Sequence, residues 1–183
     1  MRKLILAVLV GCTLLSACRS KPSEGQVGSL IADLKSPDRD VSGKANLALI
    51  SLGEPSVPGL LEMLKDPDPQ YRATAGRTLW GLGAKGRSAV PALAEALEDP
   101  EIEVRTTAAM ALENMGPEAG PAVSALAKAL KDKDGGVRQW AAKALGKVGR
   151  AAEPAVPALV QAAKMDGTRP AAEEAIRRIR SGQ

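Results

Sequence analysis

Apolar residues recur along this chain at one long, fixed period. Val57, Val90, Val123 and Val156 follow each other at steps of 33 residues, and whole columns travel with them. Leu64, Leu97 and Leu130 coincide, as do Ala75, Ala108 and Ala141, then Leu79, Leu112 and Leu145, then Gly83, Gly116 and Gly149. Such self-similarity marks a stacked array in which each unit buries its apolar face against its neighbours. An earlier unit repeats the columns as Leu34, Ala45, Leu49 and Gly53. It is three residues shorter, because Gly53 reaches Val57 in four steps where Gly83 needs seven to reach Val90. The pattern predicts about five units, at 27–56, 57–89, 90–122, 123–155 and 156–180.

Within each unit the apolar spacing changes phase once, which predicts two helices. From Val90, Pro91 sits where a missing N–H costs nothing, and Leu93, Ala94, Ala96 and Leu97 form one apolar face. Asp99-Pro100, like Asp66-Pro67 and Ser36-Pro37, breaks that helix; the fourth unit breaks with Gly135-Gly136. Asp38, Asp68, Glu101 and Asp134 share the next column, where an acidic group complements the N-terminal end of a second helix. That helix carries Ala108, Leu112 and Met115 inward and ends at Gly116.

The run of Asp, four residues, then Val-Arg-x-x-Ala-x-x-x-Leu-x-x-apolar-Gly stands here as Asp99 with Val104-Arg105 through Gly116, and as Asp132 with Val137-Arg138 through Gly149. It resembles the HEAT-like repeats, in particular the short bacterial kind found in phycobilisome-lyase-type proteins. The resemblance spans Val27 to Ile179 and implies an all-α, right-handed α-solenoid. It also implies that Asp66, Asp99 and Asp132 with Arg72, Arg105 and Arg138 form a ladder linking successive turns, with Arg105 the partner of the Asp99 carboxylate. The end units depart from the pattern: Ser36 and Ser42 stand where Asp and Arg belong, and the last unit fits only with its turn shortened by two. Terminal units of a solenoid meet solvent on one side, so atypical ends are expected.

The first residues read differently. Arg2 and Lys3 precede an apolar stretch, Leu4 to Leu15, too short to span a bilayer comfortably. Leu15-Ser16-Ala17-Cys18 resembles the lipobox of bacterial lipoproteins, which implies a signal peptide over 1–17 and a lipidated, palmitate-bearing Cys18. Residues 18–26 are then a polar tether reaching at most about 28 Å, and 27–183 the repeat domain. Arg19 after the cysteine is not the Asp that signals inner-membrane retention in enteric bacteria, so the resemblance leaves the choice of membrane open while favouring the outer one, facing the periplasm, if the organism has one.

Composition removes most chemistry. The chain has no His and no Phe, and its other cysteine, Cys12, lies in the leader, so nucleophile, metal and disulfide chemistries lack their usual residues. Loss of Arg2 and Lys3 lowers the net charge from +4 to +2, too little to suggest nucleic acid. The expectation is a non-enzyme without cofactor or metal, monomeric, acting as a protein-interaction scaffold. Alternatives are an accessory or lyase-like subunit holding a small ligand in the concave groove, or a structural spacer.

The resemblance puts the second helices on the concave surface. The non-core column there is Leu47, Arg77, Met110, Lys143, flanked by Trp140 and by Trp80. Trp, Met and Arg favour interfaces, so Arg77, Met110, Trp140, Lys143 and Trp80 are the expected partner-binding residues along one continuous groove. The bland alternative has Trp80 filling room left by Gly76 and Gly81, and Trp140 packing on a neighbouring repeat.

Overall fold

A proline behind the leading valine of three units, Pro58, Pro91 and Pro157, and the glycine closing each unit bound pairs of helices. The computed structural model describes residues 24–165 and 167–182. The pairs are α1 (Glu24–Leu34) with α2 (Arg39–Leu52), α3 (Val57–Met63) with α4 (Pro69–Leu82), α5 (Val90–Ala96) with α6 (Ile102–Met115), α7 (Val123–Ala129) with α8 (Gly135–Val148), and α9 (Val156–Ala162) with α10 (Arg169–Ser181). No strand occurs among the described residues, and the stacked pairs form an all-α solenoid. Asp38, Asp68 and Asp134 accept bonds from backbone N–H groups at the starts of α2, α4 and α8. Gly53, Gly83, Gly116 and Gly149 all have positive φ, which is why each second helix can stop and turn there without a side-chain clash.

Two features were not visible in the periodicity. The seven residues from each closing glycine to the next unit wind as 3₁₀ turns, Gly83–Ala89, Gly116–Ala122 and Gly149–Ala155, which bury alanines such as Ala89 and Ala122. The short first unit has room only for Glu54–Ser56. Residues 24–26, read above as the end of the tether, form the first turn of α1. Val27 is buried, and Ile31 packs so tightly over Gly59 that a Cβ there would lie 2.8 Å from it. Burying that face extends the helix ahead of Val27.

The core runs the length of the array. Leu49, Leu79, Leu112 and Leu145 are fully buried, each contributing about 1.5–3 kcal/mol. Neighbouring second helices approach closely through small residues: a Cβ on Gly76 would lie 2.5 Å from the Thr107 hydroxyl, and one on Gly146 3.0 Å from the Ala175 Cα.

The Asp and Arg columns join the units with an offset of one. Arg72 donates from Nε and one Nη to the Asp99 carboxylate, at 2.8 and 2.9 Å. Arg105 donates to the Asp132 carboxylate at 2.7 and 3.2 Å. The remaining Nη of each reaches back to its own unit's turn, for Arg105 the carbonyls of Asp99 and Pro100, both at 2.9 Å. The expectation that Arg105 partners the Asp99 carboxylate is therefore corrected: it bonds only the Asp99 carbonyl, because the side chain projects toward the next unit's turn. At the ends, Lys35 takes the place of the missing arginine and pairs with Asp66, while Arg138 donates to the Thr168 hydroxyl at 3.1 Å. Burial alone would push the Asp99 and Asp132 carboxyls up. The bonds from Arg72 or Arg105, and from a backbone N–H two residues on, outweigh it and hold both below the usual carboxylate range.

Candidate functional site

The second helices α2, α4, α6, α8 and α10 lie side by side, so their outward residues share one surface, and two depressions divide it. The larger, an open groove of roughly 780 Å³, lies between α4, α6, α8 and α10, with Trp80, Asn114, Trp140, Lys143, Lys147 and Arg178 among its lining residues. The other, roughly 610 Å³, lies over α2, α4 and the start of α6, where Tyr71, Arg77 and Glu103 line it.

Of the five expected contact residues, three meet in the larger groove. Trp80 is 44% exposed. It does not fill the space at Gly76 and Gly81: Thr107 occupies the first and Ile50 the second, which leaves the indole outside. Trp140 is half-buried and packs on the core, while the Lys143 ammonium stands 4.2 Å from its ring centroid. Arg77 belongs to the smaller groove, where it donates to Glu103 at 2.6 Å and to the Thr74 hydroxyl at 2.7 Å. Met110 is half-buried and lines neither of these two grooves. Leu47, in the same column, is 68% exposed.

Several residues shape the larger groove that the column reading passed over. Asn114 donates from its amide to the Trp80 carbonyl at 2.7 Å, tying α6 to the end of α4. Gln139 donates to the Gly167 carbonyl at 2.8 Å and braces the turn before α10. Glu174 accepts from Arg178 at 2.9 Å and from Arg177 at 2.6 Å, and those bonds hold its carboxyl below the usual range. The signal for Asn114 was present, as it was for the groove's Lys147, since Gly81, Asn114 and Lys147 form a further column at the same 33-residue step. Gly146 lets α10 close the groove, because it brings the Ala175 backbone against α8.

Among the described residues, no set of three or more His, Cys, Asp or Glu side chains could hold a metal ion. None of the described helices is long and apolar enough to cross a membrane. Cys18, the expected lipid carrier, lies outside the described residues, as does the leader before it.

A family model described as HEAT repeats matches residues 57–123 and 118–179. No curated protein matches the chain. Among solved structures, one chain of the complex of CpcE and CpcF of phycocyanin lyase from Nostoc sp. PCC7120 is similar at 24% identity, with a TM-score of 0.70 over 84% of this chain and 99% of that one. An engineered protein is similar at 25% identity, with a TM-score of 0.57 over 86% of this chain and 81% of that one. A designed armadillo repeat protein in complex with the peptide (KR)4 is similar at 19% identity, with a TM-score of 0.65 over 85% of this chain and 82% of that one. Likeness at this level bears on the helical-repeat fold.

Proposed function

Because this chain belongs to the HEAT-repeat family, we propose that it is a protein-binding scaffold, held to a bacterial envelope membrane by lipid on Cys18. Its working surface is the larger groove on the second helices. The observation that carries the reading is the meeting of Trp80, Trp140 and Lys143 in one open groove on a braced framework. Large side chains gathered in a depression are what an interface concentrates its energy in. The designed armadillo neighbour, a repeat array that holds a peptide, supports the same reading. Anchoring rests on Leu15-Ser16-Ala17-Cys18 and the apolar run before it. With two or more acyl chains the attachment would be stable.

The test is co-purification from the envelope with the full chain and with Trp140→Ala. A partner held by the parent should be weakened roughly tenfold or more, about 1.4 kcal/mol, with only the small fall in melting temperature that a half-buried ring contributes. A large fall in melting temperature would mark Trp140 as inter-repeat packing and remove it from the site. A second reading, an accessory or lyase-like role, draws on the phycocyanin lyase likeness and on a groove of small-ligand size.

A further inference from the structure

The larger groove is chemically lopsided. Its walls carry two indoles, Trp80 and Trp140, while α8 places Lys143 and Lys147 one turn apart on its open side. Like charges at that spacing repel, costing about 0.2–0.5 kcal/mol. No carboxylate among the described residues lies within ion-pair distance of either lysine. The Glu174 carboxylate is already shared between Arg177 and Arg178, which leaves Glu113 as the groove's other acid. The smaller groove differs: the charge of Arg77 is met by Glu103. The larger groove thus presents aromatic surface together with uncompensated positive charge.

Resting on the scaffold reading, we infer that the occupant of this groove is a segment of a partner protein in which an apolar side chain is flanked by carboxylates. The apolar side chain packs on the exposed indole of Trp80 and on the part of Trp140 that the core and Lys143 leave uncovered, rigid rings that offer area at small entropic loss. The carboxylates meet Lys143 and Lys147 and relieve the repulsion between them, a complementarity that sets specificity and register more than raw affinity. The capacity of roughly 780 Å³ suits a few side chains of an extended strand or one helical turn. Because the lysines are exposed, the attraction weakens as salt screens it.

The experiment selects binders to the purified full chain from a random dodecapeptide display library at low salt. The enriched peptides should be net acidic, with an aromatic or aliphatic residue between the acids. A synthetic peptide of the enriched sequence should bind roughly tenfold or more weakly to Lys143→Glu/Lys147→Glu and to Trp80→Ala, with the helical signal and melting temperature of both variants at the parent's level. Enriched peptides that are neutral or basic, or binding indifferent to those variants, would overturn the inference. If such peptides lose binding to Arg77→Ala instead, the scaffold reading survives at the smaller groove. Failure to enrich any peptide overturns both, and self-association abolished by Lys143→Glu/Lys147→Glu would replace the acidic partner with a second copy of this chain.

Discussion

Replacing Arg105 with Ala is expected to destabilise the protein by about 3 kcal/mol, and the figure follows from where its bonds go. The residue is 5% exposed and makes four bonds, two to the Asp132 carboxylate and two to the carbonyls of Asp99 and Pro100. Removing one partner of a buried ion pair costs about 3–5 kcal/mol, chiefly through the charge left behind. Here the orphan is Asp132, which keeps the Asp134 N–H at 2.8 Å, and that places the loss at the lower end. Urea unfolding should show a lower midpoint at unchanged slope. The decisive measurement is a pair of double-mutant cycles. Arg105→Ala with Asp132→Ala should show a coupling of about 1.5 kcal/mol or more, whereas Arg105→Ala with Asp99→Ala should couple clearly less, because the Asp99 carboxylate feels Arg105 only through space. Strong coupling to Asp99 and none to Asp132 would refute the offset between units.

Four further expectations are open to measurement. Leu112→Ala, at a fully buried position in the middle unit, should cost about 2–5 kcal/mol by thermal or urea unfolding. Gly146→Ala should cost about 1–3 kcal/mol, because its Cβ would press on the Ala175 backbone; hydrogen exchange should quicken first in α10, and no change there would contradict the close approach. The Asp99 and Asp132 carboxyls are depressed below their unfolded value of 3.8, so their contribution is complete above that pH and is lost as pH falls through the lower folded values; acid titration of Asp132→Asn should show a shallower loss than the parent. Cys18→Ser should abolish incorporation of a fatty-acid analogue and leave an unprocessed precursor; normal labelling would end the lipoprotein reading.

The paired helices and the buried columns could be read from the sequence because burial repeats with the period: a leucine at Leu79, Leu112 and Leu145 has one meaning in each unit. The same regularity hid the pairing of charges. Asp99 and Asp132 are equivalent by period, lying six residues before and 27 residues after Arg105, so spacing cannot say which carboxylate the guanidinium reaches. Lys35 was passed over because it pairs from outside the arginine column, in a unit where Ser42 is too short to span the gap. The groove was half legible. Trp80, Trp140 and Lys143 follow from a helical wheel, but the pairing of Arg77 with Glu103 depends on how α4 and α6 sit together.

The offset pairing also bears on how such a chain can change length. Every interior unit carries both halves of a clasp, a carboxylate that receives from the unit before and a guanidinium that gives to the unit after. Copying Val90–Ala122 in tandem would let Arg105 of the first copy grip Asp99 of the second, while Arg105 of the second still found Asp132. Excising that unit would bring Arg72 to Asp132 in the same way. Neither event strands a buried charge. Gene duplication and deletion at this period are therefore moves the architecture tolerates without compensating substitutions, and the number of units becomes a quantity that selection can set independently of what each unit looks like.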